Sequence, residues 1–338
     1  MAKSIDTLTH RALVITTINR PGPIVRAMAK GAKGHKMDFL IIGDRKTPSD
    51  FSVSFGEYFD LEAQAAECGK FAQLLPICHY SRKNLGYLIA AERGALEIQE
   101  TDDDNLPTGR FWQTRTEPRA IAAVSHKPWL NVYELFSNRG VWPRGLPLEH
   151  LSNSTPRILS KRRTRMLIVQ GLADDNPDVD AVYRLTRRLP IRFQRGLEYV
   201  VEPGSWCPFN SQNTIFKRDA FPLLYLPSHC SFRMTDIWRS FVAQRCLWEV
   251  GEGVVFHSAT VVQTRNEHDL LKDFEQEVPG YLYNDKIRRV LEATKIDGRD
   301  FCGSLVRCYE TLVKSSVLPA VELTIVRKWA QVIGAVLR

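Results

Sequence analysis

Metal-binding cysteine pairs, membrane-length apolar stretches and a secretory signal are all missing from this sequence of 338 residues. The seven cysteines form no C-x-x-C pair, which is the spacing typical of zinc sites and redox motifs. No stretch approaches the ~18 apolar residues needed to cross a bilayer, and residues 1–10 lack the apolar segment of a signal peptide. We therefore expect a cytoplasmic protein whose cysteines are reduced and lie in the core.

Signatures of several protein classes are also missing. The sequence contains no G-x-S-x-G, P-loop or H-E-x-x-H motif, so a serine hydrolase, a P-loop NTPase and a zincin have no support. It has no internal repeat and no low-complexity segment. Its 44% hydrophobic and 25% charged residues are typical of a folded chain and exclude a disordered tail, a collagen-like chain and a coiled coil.

The charge balance is basic. Lys and Arg total 46 and Asp and Glu total 38, so the formal net charge is +8. A positive balance favours polyanionic partners such as nucleic acid, an anionic membrane surface or phosphorylated small molecules. The basic stretch SKRRTR at Ser160–Arg165 is too short to indicate a nucleic-acid-binding module, and no such module is recognisable. We expect no nucleic-acid partner.

The first hundred residues alternate between strand and helix patterns. Arg11–Ile18 and Asp38–Ile42 are apolar and β-branched, as in buried strands, and Ile24–Lys33 between them has a helical pattern. A further helix is predicted over Asn84–Arg93 and a short strand over Ala95–Gln99. This order predicts an α/β fold with a central, mostly parallel sheet flanked by helices. In such sheets, ligands bind at the carboxyl ends of the strands.

The remainder of the chain is less regular. Strands are predicted over Met166–Gln170 and Val254–Val262, and a helix over Thr235–Trp248. After Gly280 the patterns are helical, and Glu322–Arg338 carries an apolar stripe at helical spacing. We expect this last helix to dock on the core, with contact to a membrane surface as the alternative.

The sharpest local signal is the acidic triplet of Asp102, Asp103 and Asp104, which follows the predicted strand at Ala95–Gln99. Adjacent carboxylates repel one another, and Mg²⁺ or Mn²⁺ relieves the repulsion while leaving coordination positions for substrate phosphates. In an extended segment Asp102 and Asp104 share one face and Asp103 points elsewhere. Two interpretations stay open here, a divalent-cation site and a solvated acidic turn.

Other polar residues have an ordinary structural explanation beside the functional one. Arg82 and Lys83 begin the helix before the triplet, as diphosphate contacts or as surface charges. Asp236 stands at a predicted helix start, where a carboxylate favours the helix dipole or acts as a general base. His257 lies in a strand pattern, as a metal ligand or a hydrogen-bonded core residue. The acidic stretch Asp174–Asp180 contains Asn-Pro and is interpreted as a turn that caps the next helix.

Seven segments stand out together by their order along the chain. They are TTINRP (Thr16–Pro21), IGDRKTP (Ile42–Pro48), RKNLGYLIA (Arg82–Ala90), ETDDDN (Glu100–Asn105), WPRGLPLE (Trp142–Glu149), SFRMTDIWRSFVAQRCLW (Ser231–Trp248) and RNEHDLLKDF (Arg265–Phe274). In combination they resemble the STELLO-type glycosyltransferase-like family. More distantly, the chain is similar to the reversibly glycosylated polypeptides, which are UDP-arabinopyranose mutases with a DxD-type acidic triplet. The resemblance covers roughly Arg11 to Leu282.

The resemblance implies a GT-A-like nucleotide-sugar-binding fold and a metal-dependent glycosyltransferase. In GT-A folds a DxD motif holds Mn²⁺ or Mg²⁺ against the donor diphosphate, and the triplet matches that motif. The implied metal ligands are Asp102, Asp104 and His257, with His268 competing for the place of His257. The implied donor-binding residues are Thr16, Thr17, Asn19, Asp44, Arg82, Lys83 and Asp103. Asp236 matches the acidic residue that begins the acceptor-side helix, and it is implied as the catalytic base of an inverting reaction.

The resemblance also implies partners and domain limits. The partners are a nucleotide-diphosphate sugar donor and a glycan or lipid-linked acceptor, with peripheral contact at the inner face of a membrane as a further expectation. The GT-A-like domain is expected over 1–282, with a nucleotide-binding half at 11–110 and an acceptor half at 111–282. A helical extension follows at 283–338. Two alternatives stay open: a nucleotide-sugar mutase, and a non-catalytic regulator, against which the intact triplet argues.

Overall fold

The computed structural model describes residues 10–264 and 269–338. Within these residues, eleven strands form one sheet. The strands are β1 (Arg11–Thr16), β2 (Asp38–Ile42), β3 (Glu57–Phe59), β4 (Glu97–Thr101), β5 (Asn105–Pro107), β6 (Arg119–Ser125), β7 (Arg157–Thr164), β8 (Ile168–Asp174), β9 (Glu198–Val201), β10 (Asn213–Lys217) and β11 (Val255–Gln263). The helices are α1 (Pro23–Gly34), α2 (Leu61–Leu74), α3 (Lys83–Glu92), α4 (Ala181–Thr186), α5 (Thr235–Trp248), α6 (Leu270–Glu292), α7 (Phe301–Lys314) and α8 (Val321–Leu337).

The sheet is mixed rather than mostly parallel. Its order is β3-β2-β1-β4-β10-β8-β11-β9-β6-β7, and β5 pairs with β11. Strands β2, β1 and β4 pair in parallel, as predicted, and β3, which was not predicted, adds to β2 in the same direction. The expectation of a mostly parallel sheet is wrong beyond β4, because β10 inserts between β4 and β8 in the opposite direction. The predicted α/β fold, with a central sheet flanked by helices and a C-terminal helical region, is confirmed.

Both faces of the parallel strands are buried. Along β1, Ala12 and Val14 belong to the larger apolar core, which includes side chains of α3, α5 and α8. Leu13 and Ile15 belong to a second core that is formed with α1. This alternation follows the two-residue period of a strand and explains why the whole run is apolar. The polar residues that follow the ends of β1 and β2 are therefore the ones available to a ligand at this edge of the sheet.

The C-terminal helices dock on the core. In α8 the side chains of Ile325, Trp329 and Ile333 are buried, and Nε1 of Trp329 donates to the carbonyl oxygen of Pro222 at 2.9 Å. This arrangement confirms docking, because the apolar stripe is used for packing against the core. Helix α6 runs across the predicted domain boundary at residue 282. In the two described ranges, no helix combines the length and apolar character needed to span a membrane.

One buried ion pair joins the two predicted halves of the domain. Glu100 on β4 accepts hydrogen bonds from Arg239 on α5 at 2.7 and 3.0 Å, and another from the hydroxyl of Tyr87. The two charged side chains are 0% and 1% exposed. Burial alone would lower the pKa of Arg239, but Glu100 beside it raises that pKa above the usual range. The Arg239 guanidinium therefore stays charged, and the pair fixes α5 to the strand that leads into the acidic triplet.

We expect loss of either partner to destabilise the fold strongly. Glu100→Gln or Arg239→Met should lower the free energy of unfolding by about 3–5 kcal/mol, because each leaves a buried charge without its partner. The control is Asp297→Asn, which breaks an ion pair with Arg299 whose side chains are 56% and 91% exposed, and it should change stability little. Urea unfolding measures the effects. Equal losses for the two pairs would contradict this prediction.

Candidate active site

A cavity of about 630 Å³ opens at the edge of the sheet where β1, β2 and β4 end. Residues that follow these strands line it, together with residues from the segment that leads into α5. Nine of the residues predicted from the sequence share this one cavity. They are Thr16, Thr17, Asn19, Asp44, Arg82, Asp102, Asp103, Asp104 and Asp236. The fold thus brings both predicted halves of the domain to a single site.

The acidic triplet forms a tight turn. The backbone N–H of Asn105 donates to the carbonyl oxygen of Asp102 at 3.2 Å, which closes a four-residue turn between β4 and β5. The expectation of an extended segment with Asp102 and Asp104 on one face is therefore wrong, because the chain turns here to enter β5. Asp104 accepts hydrogen bonds from Nε2 of Gln263, at the end of β11, at 3.1 and 3.3 Å. The turn is attached to β11 through this contact.

Asp103 faces the end of β1. Its Oδ2 accepts hydrogen bonds from Oγ1 of Thr17 at 2.6 Å and from Nδ2 of Asn19 at 3.1 Å. Burial raises the pKa of Asp103, and these two hydrogen bonds oppose the rise. Because the neighbouring Asp102 also raises this pKa, a cation or hydrogen-bond donor in the cavity would stabilise the ionised form.

Asp102 is neutralised from beneath the cavity. Nζ of Lys83, whose side chain is 0% exposed, lies 3.2 Å from Oδ1 of Asp102. It also donates to the carbonyl oxygen of Thr101 at 2.7 Å and to the hydroxyl of Tyr80 at 2.8 Å. The Tyr80 hydroxyl donates to the same Asp102 oxygen at 2.7 Å. All three ammonium protons are thus engaged, and the expected direct contact of Lys83 with a diphosphate is replaced by support of the triplet.

Arg82 and Asp44 form part of the cavity wall. Arg82 is 4% exposed, and its Nε donates to Oε1 of Gln64 at 2.8 Å. Burial lowers the pKa of Arg82, and Asp44 opposes that effect. Asp44 accepts the backbone N–H groups of Cys78 and His79 at 2.8 and 3.1 Å, which fixes the loop before α3. Both residues line the cavity while their hydrogen bonds go to the protein.

Asp236 lies within a buried network of charges. Nη2 of Arg144 is 3.0 Å from both carboxylate oxygens of Asp236, and Nε of the same arginine is 2.8 Å from Asp178. Ser211 donates to Oδ2 of Asp236 from its backbone N–H and from its hydroxyl, each at 3.2 Å. Burial raises the pKa of Asp236, but Arg144 outweighs burial and holds that pKa below its usual range. The carboxylate is therefore ionised and fixed in orientation.

The sequence did not single out Arg144 and Asp178. They are separated in the chain by 34 residues, and Arg144 and Asp236 by 92, so no local spacing connects them. The available signals were indirect, because Arg144 lies in the WPRGLPLE segment and Asp178 in the acidic stretch interpreted as a helix cap. The cap interpretation is confirmed for Asp180, whose Oδ1 accepts the backbone N–H of Tyr183 at 2.7 Å at the start of α4.

His257 is not part of this cavity. It is 4% exposed, its Nδ1 donates to the carbonyl oxygen of Ser258 at 2.7 Å, and it lines a second cavity of about 150 Å³. Gln263 lies six positions further along β11, roughly 20 Å away at a rise of about 3.3 Å per residue. The expected metal ligand beside the triplet is therefore wrong for His257, and the interpretation as a hydrogen-bonded core residue is right. His268, the alternative ligand, lies outside the described residues.

Comparison with known proteins identifies a family of similar sequences. A family model described as STELLO glycosyltransferases matches residues 233–327. Probable glycosyltransferase STELLO2 of Arabidopsis thaliana is 32% identical over 276 residues, which cover 75% of this chain and 35% of that protein. Probable glycosyltransferase STELLO1 of the same plant is 31% identical over 273 residues, with the same coverage. Over these residues the chain belongs to the STELLO glycosyltransferase family.

The STELLO relatives are much longer than the matched region. The chain covers about a third of the length of each Arabidopsis protein. The matched STELLO family model spans most of the sequence from α5 to α8, so it includes Asp236, whereas the acidic triplet precedes it. A solved chain described as a mycobacterial protein covers 83% of this chain and is itself covered to 74%, at 10% identity and a TM-score of 0.42. Similarity at this level carries no argument about function.

Cys78 differs from the other thiols of this STELLO-family chain. All seven cysteines are free. Four of them, Cys68, Cys207, Cys246 and Cys308, are buried as predicted. Cys78 is exposed and lines the cavity, so a thiol reagent reaches the candidate active site through it.

We expect Ellman's reagent to modify Cys78 at least about tenfold faster than any other thiol of the native protein, because reactivity requires exposure and an accessible thiolate. Cys78→Ser should abolish this fast phase. Cys302→Ser should leave it unchanged, because burial raises the pKa of the half-buried Cys302 thiol to about 11. Absorbance of the released thiolate gives the rates, and a second fast thiol would be incompatible with this assignment.

Proposed function

We propose that this chain is a metal-dependent glycosyltransferase with a GT-A-like fold, which moves a sugar from a nucleotide-diphosphate sugar to an acceptor hydroxyl. The observation that carries the proposal is the turn of three carboxylates at the carboxyl edge of parallel strands, in one cavity with Asp236. The cavity volume of about 630 Å³ is typical of small-molecule sites. The Arabidopsis relatives are named probable glycosyltransferases, which supports the same reaction class.

The donor atoms of the triplet fit Mg²⁺ or Mn²⁺. Proteins usually hold Mg²⁺ through one or two carboxylates, and substrate phosphates and water complete its coordination. Among residues 10–264 and 269–338, no group of three or more His, Cys, Asp or Glu side chains is placed to hold a metal ion, so the proposal requires substrate phosphates and water to supply the remaining ligands. We assign Asp102 and Asp104 as the ligands. When bound, the cation offsets the negative charge that develops on the leaving nucleoside diphosphate.

Donor recognition is assigned to the β1 side of the triplet. Thr16 ends β1, Thr17 and Asn19 follow it, and the three residues offer hydroxyl and amide groups to a nucleoside. Asp103 accepts hydrogen bonds from Thr17 and Asn19, which orients that segment toward the cavity. Asp44, on the adjacent wall of the cavity, is also assigned to donor recognition. Lys83 lies beneath the acidic triplet, and Arg82 lies in the cavity wall. Their positive charge near the diphosphate stabilises the transition state electrostatically.

An exposed aromatic ring supports a sugar-containing acceptor. Phe232 lines the cavity, its side chain is 51% exposed, and its ring lies edge-on to that of Tyr80 at 5.8 Å. An aromatic face is a rigid apolar surface against which the C–H groups of a sugar ring pack. A glycan or a lipid-linked sugar provides such a ring, so both fit the acceptor side of the cavity.

Asp236 is assigned as the general base of an inverting transfer. It is ionised and lines the cavity, so it can take the proton of an acceptor hydroxyl. Arg144 and Ser211 fix its orientation, which favours a defined approach of the hydroxyl. Because Arg144 lowers the pKa of Asp236, the carboxylate remains in the base form across the neutral pH range.

The metal assignment predicts that the double variant Asp102→Asn/Asp104→Asn has a Mn²⁺-dependent turnover at least about 100-fold lower than the unaltered protein. The reason is that the charge stabilisation at the diphosphate is lost. Turnover is measured as nucleotide release from a panel of UDP- and GDP-sugars, with and without EDTA. Asp50→Asn is the control, because this carboxylate is exposed and pairs with Arg20 outside the cavity. It should retain full activity.

Full activity of the double variant would overturn the metal assignment, and absence of Mn²⁺-dependent nucleotide binding by the unaltered protein would overturn the proposed function. Incubation with the nucleotide-sugar donor in the absence of an acceptor distinguishes the proposed glycosyltransferase from the remaining alternative, a nucleotide-sugar mutase. A ring-isomerised donor in the absence of acceptor would identify a mutase, whereas an unchanged or hydrolysed donor supports a transferase.

For the base assignment, we expect Asp236→Asn to lower kcat of transfer by about 100-fold or more while donor affinity changes little, because proton abstraction is lost and the donor contacts remain. Asp178→Asn is the matched control, since it also removes a carboxylate partner of Arg144. Initial rates and calorimetry separate kcat from binding. An equal loss of kcat in the two variants would show that Asp236 acts only through the ion-pair network.

A further inference from the structure

The second cavity is separate from the candidate active site. Its volume is about 150 Å³, and none of its lining residues belongs to the larger cavity. It lies at the start of β6 and β9 and beside the middle of β11. Its charged and titratable lining residues are Arg110, Arg115, Arg119, Glu198 and His257.

Positive charge is in excess around this cavity. Arg119 donates to Glu198 through Nε at 3.1 Å and through Nη2, so this arginine is paired. Arg115 donates from Nη2 to the carbonyl oxygen of Arg110 at 3.2 Å and to Oε1 of Gln113 at 3.1 Å. In the described ranges, no carboxylate lies within ion-pair distance of Arg110 or Arg115. The described lining of the cavity therefore contains three guanidinium groups and one carboxylate, that of Glu198.

The three arginines are close enough to affect one another. Burial lowers the pKa of Arg115, and the positive charges of Arg119 and Arg110 lower it further, against the opposing effect of Glu198. Like charges held close together repel one another, and a bound anion would relieve that repulsion. The cavity thus has the electrostatic character of an anion site.

His257 adds a hydrogen-bond acceptor to the same cavity. Its Nδ1–H donates to a backbone carbonyl, so the neutral ring carries its lone pair on Nε2. No described residue forms a hydrogen bond with Nε2. Burial, with a further contribution from the positive charge of Arg115, lowers the pKa of His257 to about 3, so the ring is neutral at physiological pH. A neutral acceptor beside arginines suits a ligand that combines negative oxygens with a hydroxyl group.

We propose that this cavity binds a phosphate group, free or on a small monoester, with Arg110 and Arg115 holding its charged oxygens and His257 accepting a hydrogen bond from a protonated oxygen. Guanidinium groups bind phosphate oxygens in pairs of charge-assisted hydrogen bonds. Monohydrogen phosphate supplies both the charge for the arginines and the proton for Nε2. The volume of about 150 Å³, against about 630 Å³ for the larger cavity, restricts the ligand to a small oxyanion.

The test is calorimetric titration of the full chain with inorganic phosphate and with glycerol 3-phosphate, in EDTA so that no cation brings phosphate to the acidic triplet. We expect saturable binding of at least one of the two, and Arg110→Gln/Arg115→Gln should weaken it by at least about tenfold. The matched control is Arg157→Gln/Arg163→Gln, which removes the same charge from exposed positions of β7 and should change affinity less than about twofold.

A second readout locates the ligand. The NMR signals of the His257 ring should shift on addition of phosphate in the unaltered protein and in the control variant, and should not shift in Arg110→Gln/Arg115→Gln. Thermal unfolding verifies that both variants are folded, and phosphate should raise the midpoint only where it binds. Absence of saturable binding by the unaltered protein, equal weakening in the two variants, or an unperturbed His257 ring would each overturn the proposal.

Discussion

The buried ion pair between Glu100 and Arg239 is the constraint on which the candidate active site depends. Glu100 stands two residues before the acidic triplet, and Arg239 stands three residues after Asp236. Because neither side chain reaches water, separating them costs several kcal/mol, on the order expected for an uncompensated buried charge. The distance between β4 and α5 is therefore fixed by the core. The strand that precedes the triplet and the helix that carries Asp236 are thereby held together at one cavity.

Charge compensation beneath the cavity follows the same principle. Lys83 lies under Asp102, and Arg144 lies between Asp178 and Asp236. These cations offset the negative charge of the carboxylates in a partly dry environment, and Arg144 holds the pKa of Asp236 below its usual range. The formal net charge of +8 does not reveal this arrangement, because these cations are buried and each is paired with particular carboxylates. The second cavity differs, because three arginines line it beside a single carboxylate.

The parallel half of the fold and most of the site could be predicted from the sequence. Strands such as β1 and β2 are buried on both faces, which leaves continuous apolar runs, and the polar residues after them mark the ligand edge. The acceptor half could not be predicted in this way. Strand β7 is exposed and basic at Arg157–Thr164, and β10 lies in the polar stretch Phe209–Phe216, so neither has a strand-like apolar pattern. Arg144 and Asp178 meet Asp236 only through long-range packing.

The reversed direction of β10 has a consequence for how specificity can change over evolution. Strand β4 leaves the sheet at the triplet, whereas β10 enters the sheet beside it, with Asn213 opposite Thr101. The segment that leads into β10 therefore contributes Gln212 to the cavity wall from the acceptor half of the chain. Substitutions or insertions before β10 can reshape one wall while the β1-to-β4 side stays intact. Under the proposed function, the residues assigned to the acceptor and those assigned to the donor lie in separate stretches of sequence, which can diversify independently.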